Sequence, residues 1–271
     1  MLKNITIGQF FPGESFVHKL DARMKIILTI AIIVEIFVCD NYFSLALVVA
    51  FVILCVGVSG IPVKVIFRGM KAIYLIIILT SLLQIFYNST GEVLVEWWKI
   101  TITTGGIKTA IFLAVRIIAL ILISSLMTYT TSPTVLTDAL ERLLSPLNKI
   151  KVPVHTLAMM MTIALRFIPI LIDEIDKIMS AQKARGSDIG VGNLAQRAKA
   201  LVPIFVPLFV NSFRRAYELA FAMECRCYRG GDGRTRMKKM HMGARDWVAL
   251  SCVVVVLAGI ITLNILFEAV I

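Results

Sequence analysis

Two consecutive segments decide the fold: HTLAMMMTIALRFIPILIDEIDKIMSAQKARG at residues 155–186 and NLAQRAKALVPIFVPLFVNSFRRAYELAFAMECRC at residues 193–227. Each is of helix length, and each ends in an arginine held between small residues, Ala184-Arg185-Gly186 and Cys225-Arg226-Cys227. The first, counted from Val154 to Ala184, reaches roughly 45 Å if continuous, with Pro169 marking a kink. It opens apolar and methionine-rich (Met159, Met160, Met161). After Leu171 it turns amphipathic, where Asp173, Glu174, Asp176 and Lys177 mix with Ile175, Ile178 and Met179. Such a helix leaves the bilayer or lies along it and then enters water. Gly186 is the residue expected where a helix closes in the left-handed conformation.

The second segment repeats the plan. It starts on a basic turn (Arg197, Lys199), passes Pro203 and Pro207, carries Arg214, Arg215 and Glu218 in its second half, and ends at Arg226. Small residues precede both arginines: Ala181 and Ala184, then Ala220 and Ala222. The repeat is one of geometry rather than of sequence. An arginine at a helix C-terminus is favoured by the macrodipole, which explains either one taken singly. The duplication asks for more: small flanking residues let a partner backbone approach closely, and the guanidinium offers a planar fork of donors for carboxylates and carbonyls. The reading expects the two tips side by side, suiting a two-lobed partner.

Around this stretch the chain reads as membrane anchor. Its 271 residues are 58% hydrophobic, with mean hydropathy +0.87, far above the range of soluble domains. The 28 Lys+Arg exceed the 17 Asp+Glu, for a net charge of +11. Between Thr131 and Arg245 lie 18 basic and 9 acidic residues, so most of the excess sits in one block, which the positive-inside bias makes cytoplasmic. No aromatic-basic platform or reader motif accompanies it, so attraction to anionic lipid explains the charge better than nucleic acid does.

Asp21 to Lys25 leads into an apolar run ending at Cys39, and a turn at Asp40-Asn41 returns the chain from Phe43 to Val58 as a helical hairpin. Ser59-Gly60-Ile61-Pro62 ends it. Lys64, Arg68 and Lys71 mark a cytoplasmic loop before a third span, Met70 to Tyr87. The polar stretch Asn88 to Gly106, with Trp97-Trp98 at interface level and the alternation Ile100-Thr-Ile102-Thr, fits a short external hairpin. A fourth span, Ile107 to Tyr129, and a fifth, Trp247 to Phe267, complete the expectation. The fold class is thus an all-α integral membrane protein with about five transmembrane helices and a cytoplasmic amphipathic module. Its expected parts are a four-span bundle over residues 1–130, a coupling module over 131–245 and a last span over 246–271. The N-terminus lies inside and the C-terminus outside. The first two dozen residues lack the charged-then-apolar order of a cleavable signal, so insertion is expected to rely on the spans themselves.

Two charges interrupt the spans, Glu35 and Arg116. Burying either alone costs at least ~2.5 kcal/mol, and their similar depth makes them candidate partners. Snorkelling to the interface is the alternative. Ser132-Pro133 opens an amphipathic helix with a serine cap and an early proline, and it stops at Ser145-Pro146. The five cysteines are an odd number scattered through apolar spans, apart from Cys225 and Cys227, which argues against a disulfide framework. A Cys-x-Cys pair supplies only two of the four ligands that a structural zinc takes, so no metal site is expected.

The segments His18-Lys-Leu-Asp-Ala-Arg-Met-Lys25, Thr130-Thr-Ser-Pro133, Leu165-Arg-Phe-Ile-Pro169, Ala181-Gln-Lys-Ala-Arg-Gly186, Ala222-Met-Glu-Cys-Arg-Cys-Tyr228 and Arg229-Gly-Gly231 together make the chain resemble a known family. That family is the transmembrane (T) component of energy-coupling factor (ECF) transporters, the EcfT/CbiQ family of vitamin and metal-ion importers, and the resemblance covers nearly the whole chain. It implies a non-catalytic subunit of an ATP-driven importer in the bacterial cell membrane. Ala184, Arg185, Gly186, Cys225, Arg226 and Cys227 would dock two ATP-binding-cassette ATPases, EcfA-like and either identical or paired paralogues. It further implies that ATP and magnesium are bound by those ATPases, with no cofactor on this chain, and that a separate small membrane S component binds the vitamin or transition-metal ion. Where the family commonly has Ala-Arg-Gly at the second tip, this chain has Cys225-Arg226-Cys227, which puts the glycine-type helix ending there in question.

Other classes fit less well. A membrane-embedded enzyme would need paired aspartates, a His-Glu-x-x-His or a serine with its base, and the three histidines (His18, His155, His241) are not at ligand spacing. A self-sufficient channel or carrier predicts inverted repeats among the spans, which five unequal spans do not display. A conventional ABC importer permease that lines its own substrate path is the closest rival.

Overall fold

The computed structural model describes residues 10–71, 73–87, 92–97, 100–186, 193–231 and 240–267. They form helices α1 (Ala22–Val38), α2 (Tyr42–Ser59), α3 (Val63–Met70) and α4 (Tyr74–Tyr87). A hairpin of β1 (Val93–Trp97) and β2 (Ile100–Thr103) precedes α5 (Thr104–Thr130), α6 (Pro133–Leu144), a 3-10 turn (Ser145–Ile150), α7 (Val154–Ala184), α8 (Leu194–Cys225) and α9 (Ala244–Leu266). The protein is an all-α integral membrane protein by architecture, the hairpin being its one β element among the described residues.

By length and composition α2, α5, α7 and α9 can each cross a membrane, and α3 with α4 make a fifth candidate bent by 61°. Two details differ from the sequence reading. The third span is not continuous from Met70, because the helix breaks between α3 and α4. The apolar first half of α7 also qualifies as a crossing segment, whereas α1, at 17 residues, would reach only about 26 Å.

The chain divides into two compact units, one over Gly8–Leu136 with Lys239–Ile271 and the other over Thr137–Lys238. In the first, α1, α2, α5 and α9 pack through Ile32, Ile36, Val48, Val52, Phe112, Ile123, Val253 and Ile260. Ile36, Val48, Val52, Phe112 and Ile260 are wholly buried. The polar ends of these helices are tied together. Asp21 caps α1 by accepting from the Arg23 amide at 2.9 Å, and its own amide donates to Asp246 Oδ1 of α9 at 2.9 Å. Lys25 Nζ donates to the carbonyls of Thr130, which ends α5 (3.0 Å), and His18 (3.1 Å). At the opposite ends Asn41 Nδ2 donates to the carbonyls of Leu263 and Phe267, and Asn264 Nδ2 to that of Val38.

The hairpin expected from Ile100 to Thr103 forms, antiparallel, with Val95 opposite Ile102 and Trp97 opposite Ile100. The interface role expected of Trp97-Trp98 falls on side chains outside those described. Glu35 and Arg116 do not pair. Arg116 Nη2 donates to the carbonyl of Cys39, and the guanidinium lies 4.7 Å from the Phe112 ring centroid. Glu35 is 2% exposed, and neither carboxylate oxygen has a hydrogen-bond partner among the described residues. Depth along a helix fixes the height of a side chain but not the direction in which it leaves the helix.

Candidate functional site

In the second unit α7 and α8 run antiparallel. Gln182 Nε2, near the end of α7, donates to the carbonyl of Pro203, near the start of α8. About two turns nearer the start of α7, the Glu174 carboxylate accepts from Asn211 Nδ2 at 2.7 Å and Arg215 Nη2 at 2.5 Å. Where the chain leaves α8, Gly231 lies against the His155 ring in the first turn of α7. These contacts run through the two helices in one consistent antiparallel order.

The consequence corrects the expectation of tips side by side. Antiparallel helices point their C-termini in opposite directions. Arg185 sits close to the level of Pro203, whereas Arg226 lies 23 residues further along α8, roughly 35 Å away at 1.5 Å per residue. The paired segment therefore carries one arginine at each end.

The two tips are nonetheless built alike. Arg185 is the last half-helical residue of α7, its amide donating to the Ala181 and Gln182 carbonyls, and Gly186 follows at φ +84° with its amide donating to the Lys183 carbonyl. At the second tip the Cys227 amide donates to the Glu224 carbonyl at 2.8 Å, and the Tyr228 amide to the Met223 carbonyl at 3.0 Å. That is the six-to-one and five-to-two pattern of a Schellman ending, with Arg226 in the position that Arg185 holds. Cys227 takes the left-handed place of Gly186 at φ +58°. The glycine-type ending is thus present at the second tip without a glycine. A non-glycine residue there is strained by roughly 1–2 kcal/mol.

Ala184, Arg185, Gly186, Cys225, Arg226 and Cys227 are all exposed. Neither tip guanidinium has a hydrogen-bond or ion-pair partner among the described residues. Both sulfurs are free thiols, and no group of three or more metal-ligating side chains exists among the described residues. Between the tips, α8 presents Phe205, Phe209, Phe213 and Tyr217, each at least 60% exposed and spaced four residues apart. One row of a helix surface is thereby wholly aromatic.

Residues 13–238 match the family model described as CbiQ, cobalt transport protein. The chain belongs to the EcfT/CbiQ family. It is 51% identical over 256 residues to the energy-coupling factor transporter transmembrane protein EcfT of Clostridium kluyveri, covering 94% of this chain and 95% of that one. It is 48% identical to the protein of the same description from Ruminiclostridium cellulolyticum, over 98% of this chain and all of the other. With the Staphylococcus aureus protein of that description the identity is 42% over 94% of this chain and 95% of the other. The chain is therefore a transmembrane component of an energy-coupling factor transporter, a multi-pass membrane protein of a transport system. In this EcfT/CbiQ member the sequence pointed to both tips. It left unexplained why the segment from His18 to Lys25 carries so many polar residues; those residues tie α1 to the ends of α5 and α9.

Proposed function

We propose that Arg185 and Arg226 each dock one ATP-binding-cassette ATPase, and that the chain passes the motion of two such ATPases to a separate membrane S component that binds the substrate. The observation that carries this reading is the pair of exposed guanidiniums, without a partner among the described residues, presented by two helix ends of the same geometry at opposite ends of α7–α8. Two separated cationic tips suit two copies of a nucleotide-driven motor, each offering a groove with carboxylates or carbonyls. A single copy would leave the second tip idle.

ATP and magnesium belong to the ATPases, and this chain binds no cofactor and performs no chemistry. The exposed aromatic row of α8 supplies apolar area for the S component or for lipid. Specificity for a vitamin or a transition-metal ion resides on the S component. The basic block faces the cytoplasm of a bacterial cell, with the N-terminus inside and the C-terminus outside, as the positive-inside bias favours.

The test is copurification of the ATPases from mild detergent, with uptake of radiolabelled B vitamins and Co2+ by vesicles carrying the complex. The Arg185→Ala, Arg226→Ala double substitution should abolish both while leaving the chain in the membrane. Unchanged assembly and uptake would overturn the reading. Substrate bound by this chain in the absence of an S component would favour a conventional importer permease.

A further inference from the structure

The segment that leaves α8 does not simply hang free of it. After the Schellman ending at Cys227 and Tyr228, the chain turns through Gly230 at φ +93° and brings Gly231 onto the imidazole of His155. The approach is close enough that a Cβ at position 231 would stand 2.4 Å from His155 Cδ2, 2.7 Å from Cγ and 3.1 Å from Cβ. The neighbour is thus the root of the ring as well as its edge. Nor can the ring swing aside at no cost: Nδ1 is held by Glu141 Oε1 of α6 at 2.8 Å. Its Nε2 is buried with no partner among the described residues. The two adjacent glycines thus answer to different constraints, Gly230 to a left-handed backbone and Gly231 to a contact with room for no side chain.

We infer that Gly231, His155 and Glu141 form a latch that ties the Arg226 tip to α6 and carries its displacement there. The path is short: four residues lie between Arg226 and Gly231, and one side-chain hydrogen bond then joins His155 to α6. That helix follows α5 after only Thr131 and Ser132, so a pull at the tip reaches the joint next to a membrane-crossing helix. Nothing equivalent is described at the Arg185 tip, where the residues after Gly186 lie outside those described. Glu141 and His155 are positioning residues. They act by keeping the tip and α6 in one body.

This inference rests on the docking role proposed above, and hydrogen exchange tests it without knowledge of the substrate. The complex of this chain with its ATPases is compared in the presence of a non-hydrolysable ATP analogue, reading amide exchange in residues 133–144. Gly231→Ala should leave the ATPases bound but speed exchange in α6 roughly ten-fold, the upper part of the range seen for residues that couple distant sites. His155→Asn keeps an amide donor for Glu141, keeps Cβ and Cγ, and sets Oδ1 where Cδ2 stood against Gly231, so by itself it should exchange like the parent. His155→Ala, which inserts nothing, should loosen α6 by itself and so guards against misfolding of the glycine variant. Parental exchange in both Gly231→Ala and His155→Ala, or exchange in His155→Asn as fast as in His155→Ala, would overturn the latch. Should the ATPases fail to bind the parent chain, the docking reading falls, and the same comparison on the chain alone still decides the contact.

Discussion

Glu174 and Arg215 meet at 2.5 Å across α7 and α8, and with Asn211 on the same carboxylate they fix the antiparallel order that sends the two arginine tips to opposite ends. Arg215 is 42% exposed and Glu174 16%, so the pair is screened by solvent and contributes about 0.5–1 kcal/mol. Glu174→Gln keeps an acceptor for Asn211 and removes the charge. It should lower stability by that amount, seen as a small fall in melting temperature in detergent. A nitroxide pair near Arg185 and Arg226 should keep its distance distribution centred, while that of Glu174→Ala broadens. An unchanged distribution in Glu174→Ala would show that other α7–α8 contacts alone set the order.

Cys227 sits where a glycine is unstrained. Cys227→Gly should therefore stabilise the tip by about 1 kcal/mol, relief of left-handed strain set against the greater freedom of glycine in the unfolded chain. Cys227→Val, β-branched, should destabilise by more than cysteine does. Slower exchange of the Tyr228 amide in the glycine variant is the most direct reading, since that amide closes the Schellman pattern. Equal exchange in both variants would show that the positive φ carries no strain.

Lys25 is 6% exposed and donates to two carbonyls, those of His18 and Thr130. Replacement by methionine keeps the apolar stem and withdraws both donors. Leaving buried carbonyls unpaired costs about 1–3 kcal/mol each when nothing replaces the bond. Lys25→Met should accordingly lower the detergent melting temperature by several degrees, with Lys25→Arg intermediate. A melting temperature equal to the parent's would mean that water reaches both carbonyls.

Much of this was legible in the residues. Apolar runs marked the membrane helices because a helix in lipid must satisfy its backbone internally, and alternation at Ile100 to Thr103 marked the hairpin. The ends of α7 and α8 at Arg185 and Arg226, and Gly186 as the left-handed closure, were legible because capping is local. What stayed hidden depends on contacts between distant positions. Gln182 with Pro203 and His155 with Gly231 set the antiparallel order, and no local pattern announces either pair. For the same reason equal depth could not decide whether Arg116 meets Glu35 or, as it does, the Cys39 carbonyl. Cys227 shows a further limit, since tertiary and hydrogen-bond demand held a left-handed turn where side-chain preference argued against it.

Glu35 supplies a sharper test of the membrane unit. Its carboxylate is buried at 2% exposure without a hydrogen-bond partner among the described residues, and a carboxylic acid in an apolar bundle contributes cost unless something answers it. Leucine matches its reach and removes the polar oxygens. Glu35→Leu should therefore leave the melting temperature in detergent equal to the parent's or raise it, by up to about 2 kcal/mol of stability. Glu35→Gln, which keeps two polar atoms in the same place, should gain less. A fall in melting temperature with leucine would mean that the carboxylate has a partner in the assembled transporter's membrane unit. Measuring both variants with and without the bound ATPases would then locate the state in which that partner is met.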